Sequence, residues 1–198
     1  MKLILTSNGL SSTSINKRFL DLLDKEPSKT KIFFVTSKTK RHKHWKYTLK
    51  SKRELLKLGV AGKNIKMFHL GRKIDYGSLL GFDAIYMCGG NTYLILKKTR
   101  ESGFDTVIKK FVRSGRIYVG VSAGSIICGP NITTTIDPNS LRLKDLSGLR
   151  LIDVLISPHH SKEREHIFKK QNKKFRYPVV GIPDKHALIV TNREMKRI

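Results

Sequence analysis

Acidic residues are scarce in this chain: 15 Asp and Glu stand against 40 Lys and Arg, leaving a net charge of +25. Such a surface attracts phosphate backbones, anionic lipids or acidic substrates, and excludes little by itself. Long apolar runs are missing too. None approaches the roughly 20 residues of a membrane-spanning helix, and Lys2 is followed by LIL and then the polar TSNGLSST, which is not the apolar stretch of a secretory leader. A cytoplasmic protein with no membrane partner is expected. Cysteine is limited to Cys88 and Cys128, which show neither C-x-x-C nor His-rich spacing. They read as buried free thiols, and no metal or cofactor is implied. With no internal repeat, low-complexity tract or linker, 198 residues suit a single domain over 1–198.

What is present is an alternation. KLILTS (2–7), KIFFVTS (31–37), KMFHL (66–70), FDAIYMCGG (82–90) and RIYVGVSAG (116–124) read as strands, several continuous enough to be buried on both faces. Helical patterns lie between them at 15–25, 43–58, 92–103 and 104–115, the last with a stripe of Val107, Ile108, Phe111 and Val112. This rhythm predicts an α/β fold with a largely parallel sheet. Further on, LIDVLISPHH (151–160) reads as a strand, a helix is expected near 161–172, and YPVVGIPDKHALIVTN (177–192) reads as two strands joined by a turn at Pro183–His186.

Two segments concentrate the basic charge, 37–57 and 162–176. The first interleaves Trp45 and Tyr47 with nine Lys and Arg, a pattern that stacks nucleic-acid bases or equally anchors a helix. Leu49, Leu55, Leu56 and Leu58 favour the second reading, with the basic face left to solvent.

Sites in open α/β sheets form at the carboxyl ends of strands. Three loops qualify: Cys88–Asn91, the G-x-S-x-G stretch around Ser122, and Ser157–His160. Gly120 and Gly124 relieve crowding where a strand turns sharply into a helix, so that the Ser122 hydroxyl projects from the sheet as a nucleophile. Ala123 and Gly90 are candidate oxyanion donors through their backbone N–H groups, and Asn91 also suits a helix N-cap. Of the seven histidines, His42, His44 and His166 sit in charged helical stretches and His69 within a strand pattern, leaving His159, His160 and His186 as candidate bases. Asp137 and Asp184, both in turn contexts, are the candidate carboxylates that would orient the base.

LTSNGLSS, IYMCGGNTYLIL, GVSAGSIICGPNITTTIDP, ISPHH and GIPDKHALIV occur in the order of the landmarks of the peptidase E (aspartyl dipeptidase) family of serine peptidases. The chain resembles that family over nearly its whole length. The resemblance implies a three-layer α/β sandwich similar to class I glutamine amidotransferases (flavodoxin-like), with serine replacing their elbow cysteine. It implies Ser122 as nucleophile and His159 as general base, with Asp137 or Asp184 as the acid. Asp184 stands where the family has a glutamate. Asn91, His160 and Arg164 are candidate substrate contacts, Arg164 substituting for an arginine motif that is not matched residue by residue. The expected substrate is a short peptide, with an N-terminal aspartate on the family pattern, and the expected state a monomer or homodimer. The alternative is an inactive scaffold of this family that binds nucleic acid through its basic surface.

Overall fold

The computed structural model describes residues 1–37, 45–162, 176–192 and 194–198. Five parallel strands form its centre: β1 (Lys2–Thr6), β2 (Ile32–Thr36), β3 (Ile65–His69), β4 (Ala84–Met87) and β5 (Ile117–Val121). They lie in the order β3-β2-β4-β5-β1. Every residue of β2, β4 and β5 is buried, which is why these segments read as unbroken apolar runs. Two antiparallel strands, β8 (Ala187–Thr191) and β9 (Met195–Arg197), extend the sheet beyond β1. The short β9, fully exposed, carries no apolar signal and is not anticipated from sequence.

Alternation along each strand divides the core between the two faces of the sheet. Leu3, Phe33 and Ile85 pack with Ile95 of α3 (Thr92–Glu101) and Phe104 and Phe111 of α4 (Phe104–Arg113). Ile4, Phe34 and Tyr86 pack with Phe19 of α1 (Thr13–Leu22) and Leu55 of α2 (Trp45–Lys57) on the opposite side. The result is the expected three-layer α/β sandwich.

The two strands expected on either side of Pro183–His186 are present, joined by a turn in which His186 N donates to Pro183 O at 3.0 Å; β7 (Val179–Ile182) pairs in parallel with β6 (Leu155–Pro158) in a separate two-stranded sheet, while β8 joins the main one. Helix α2 buries Thr48, Ser51 and Leu55, while Leu56 is exposed. Its inner face thus combines Leu55, which packs on the sheet, with the hydroxyls of Thr48 and Ser51, which line the polar cleft. Most of the expected helix at 161–172 and most of the basic segment 162–176 lie outside the described residues.

Candidate active site

Strands β4, β5 and β1 are neighbours, so their carboxyl ends deliver Cys88–Gly90, Ser122 and Ser7–Asn8 to one place. Ser122 occupies a left-handed backbone conformation, φ 51° and ψ −110°, between β5 and α5 (Ala123–Ile126). Few non-glycine residues adopt such a conformation unless the surroundings enforce it. Several bonds do so here. The Ser122 N–H donates to Thr6 O at 2.8 Å, and Ser125 Oγ lies 2.8 Å from both Thr6 O and Gly120 O, which share its one proton. Tyr118 Oη donates to Gly124 O at 2.8 Å. The flanking glycines are required by space: a Cβ on Gly120 would stand 2.6 Å from Gly124 O, and one on Gly124 would stand 2.6 Å from Met87 O. At Gly89 a Cβ would meet Ser122 Cβ at 3.2 Å, so the glycine loop closes directly over the elbow. As the first residue of α5, Ala123 has an N–H with no acceptor within the helix. Gly90 lines the same cleft as Ser122.

The histidine arrives from the second sheet. His159 follows β6, also with positive φ (56°), and its N–H donates to Ser7 Oγ at 3.0 Å. Ser7 Oγ in turn donates to Ile182 O at 2.6 Å, so one buried hydroxyl joins the ends of β1, β6 and β7. Thus held, His159 Nε2 lies 3.1 Å from Ser122 Oγ, and Nδ1 lies 2.6 Å from Asp184 Oδ1. A proton on Nδ1 donated to Asp184 leaves the Nε2 lone pair facing the serine hydroxyl. The pair is open to water, with His159 and Asp184 side chains 42% and 57% exposed.

Other sequence candidates fall elsewhere. Asp137 accepts from Thr92 N and Thr92 Oγ1 at 2.7 Å each and from Thr135 Oγ1 at 3.1 Å, which places it at the amino end of α3. Its carboxylate complements that helix terminus and makes no bond to His159. Asn91 caps the same helix, accepting from Leu94 N at 3.0 Å. His160 points away from the cleft, its ring lying over Gly181 and lining a separate cavity with Val179 and Arg197. His186 is exposed in the turn beyond Asp184. Arg164, like His42, His44 and His166, lies outside the described residues. Cys88 and Cys128 are buried, and burial pushes the Cys128 thiol up to about 12, which keeps it unreactive. Ser7, Ser125 and Lys50 are site residues that no chemical motif of the sequence singles out. The first follows an apolar strand directly, which is a usable signal, whereas the others show their role only through tertiary contacts.

The two aspartates therefore predict opposite phenotypes. Asp184→Asn should lower kcat by about 10²- to 10³-fold, less than the ~10⁴-fold cost of this change where the aspartate is buried, because water screens the exposed pair. Asp137→Asn should cost about 1 kcal/mol of stability and leave kcat within a few-fold. Kinetics and denaturant titrations on both variants check this.

The cleft encloses about 330 Å³. Helix α2 forms one wall, with Thr48, Lys50 and Ser51. Behind Lys50 lies Glu54, which accepts the Leu10 N–H at 3.1 Å and stands 3.6 Å from Lys50 Nζ. Burial raises the Glu54 carboxyl above its ordinary value of 4.5, against the opposing pull of Lys50. The folded protein thus binds this proton more tightly than the unfolded chain, and Glu54 subtracts stability as pH rises from 4.5 through its folded value. Glu54→Gln keeps an acceptor for Leu10 and removes that slope. Across this window the variant should gain stability relative to wild type as pH rises, then level off, in urea titrations at successive pH values.

A serine hydrolase site needs a hydroxyl, an imidazole base within hydrogen-bond reach of it and a group that anchors the imidazole, and this fold supplies that class of site at one end of its sheet. The chain belongs to peptidase family S51, whose family model matches residues 3–198. It is 30% identical over 157 residues to peptidase E of Salmonella typhi, covering 74% of this chain and 66% of that protein. It is also 34% identical over 83 residues to an uncharacterized peptidase of Pasteurella multocida, a match spanning 40% of each. Its fold matches the crystal structure of a protein assigned as a peptidase E candidate from Listeria monocytogenes. That match has a TM-score of 0.81 and 23% identity, and covers 100% of this chain and 97% of the other. A peptidase from an acI-B1 Actinobacterium shares the fold with a TM-score of 0.67 at 18% identity, covering 96% of this chain and 82% of that one. No helix among the described residues is long and apolar enough to cross a membrane.

Proposed function

We propose that the protein is a serine exopeptidase that hydrolyses short peptides through an acyl-enzyme, with Ser122 as nucleophile, His159 as general base and Asp184 as its orienting acid. The observation that carries this reading is the continuous line from Ser122 Oγ to His159 Nε2 at 3.1 Å and from His159 Nδ1 to Asp184 Oδ1 at 2.6 Å. His159 takes the Ser122 proton as Oγ attacks the scissile carbonyl, and Asp184 stabilises the imidazolium that forms. The oxyanion rests on the Ala123 and Gly90 N–H groups. His159 then protonates the leaving amine, and a water deprotonated by His159 hydrolyses the ester.

A cleft of about 330 Å³ suits a dipeptide or tripeptide better than an extended chain. The similarity to peptidase E supports N-terminal aspartate as the first specificity to test. Hydrolysis of a dipeptide panel by the purified protein, with N-acetylated counterparts, checks the reading. Turnover of free dipeptides and rejection of the acetylated ones is expected, whereas no turnover of any member would overturn the exopeptidase assignment.

A further inference from the structure

Among the described residues that line the Ser122 cleft, Lys50 carries the only permanent charge; its polar neighbours include Ser7, Asn8, Thr48 and Ser51. Two residues hold the ammonium in place. Nζ donates to Asn8 Oδ1 at 2.9 Å, and Glu54, one turn along α2, stands 3.6 Å behind it. Glu54 does not sequester the charge, since its carboxylate also accepts the Leu10 N–H and the Lys50 side chain remains 43% exposed. The cleft thus presents an oriented cation with no carboxylate of its own on the lining. Such a wall draws an anion and repels the ammonium of a basic side chain.

We propose that Lys50 is a specificity-determining residue that fixes a carboxylate of the substrate, exchanging the neutral Asn8 acceptor for a stronger charge-assisted bond. This rests on Ser122 being the nucleophile, because only then is the cleft the acyl-binding site. A dipeptide can offer that carboxylate from the side chain of its first residue or from its C-terminus. The shared chemistry is what Lys50 recognises.

Four peptides separate the sources: Asp-Leu, Asn-Leu and the C-terminal amide of each. We would measure kcat/KM for all four with wild type, Lys50→Met, which keeps the apolar stem, and Lys50→Arg, which keeps the charge. A neutral fluorophosphonate, having no carboxylate, reports the reactivity of Ser122 separately. In Lys50→Met the preference for a carboxylate-bearing peptide over its neutral partner should fall about 10- to 100-fold, the range of one hydrogen bond to a charged group. Lys50→Arg should retain most of that preference. Loss of the Asp-over-Asn ratio assigns Lys50 to the first side chain, and loss of the acid-over-amide ratio assigns it to the C-terminus. Equal losses on all four peptides, or none on any, would overturn the proposal. Failure of wild-type Ser122 to label would strike the hydrolase reading itself, and this inference with it.

Discussion

Replacing Ser122 with alanine should leave a folded protein that no longer turns over peptides, with kcat reduced by about 10⁵- to 10⁶-fold. The loss is this large because His159 acts on the serine oxygen, and the backbone donors stabilise an oxyanion that forms only once that oxygen has attacked the carbonyl. Among the described residues the Ser122 side chain bonds only to His159, itself 42% exposed, and the elbow is held instead by backbone groups, Ser125 and Tyr118. Removing the hydroxyl leaves every one of those bonds in place, so Tm should move by no more than about 2 °C. Initial rates on a cleavable dipeptide together with a thermal melt decide it. A variant that melts like wild type yet keeps its rate would remove Ser122 from the reaction.

Gly120→Ala should do the converse and damage both fold and rate. The new methyl would lie 2.6 Å from Gly124 O, 2.8 Å from Gly124 C and 2.9 Å from Ser125 N, all backbone atoms of the elbow itself. None can swing aside as a flexible side chain would, and Gly120 is confined between Leu5 of β1 and Met87 of β4. Overpacking of this kind costs about 1–3 kcal/mol or more, a fall of roughly 3–10 °C in Tm for a chain of this size. The only relief is to open the elbow, which displaces Ser122. A shift of about 1 Å in a reacting group costs on the order of 100-fold in rate. Calorimetry and kinetics on the same preparation test both halves, and a variant as stable as wild type would show that the elbow is looser than described.

The inner parallel strands β2, β4 and β5 were legible because they are buried on both faces, whereas the edge strand β3 is partly exposed and showed only a short apolar run. The exposed β9 has no apolar pattern, and α2 buries Thr48 and Ser51 beside the one leucine, Leu55, that is fully covered. At the site, Ser122 announces itself through its two glycines, whose crowding is a local property. His159 and His160 are adjacent in sequence, yet the turn at His159 sends one ring into the cleft and the other over Gly181. The acid was open between Asp137 and Asp184 because both occupy turns. Only the placement of β7 beside β6 brings Asp184 to the imidazole and leaves Asp137 with Thr92. Lys50 was one of many lysines until α2 and the Asn8 loop came together.

Activation of Ser122 by its alignment with His159 and Asp184 is read most directly by intact-mass analysis after treatment with a fluorophosphonate. A single adduct, mapped by peptide digestion to Ser122, should form on the wild-type protein and be lost in His159→Ala. An unmodified wild-type protein, or an adduct on another residue, would contradict it.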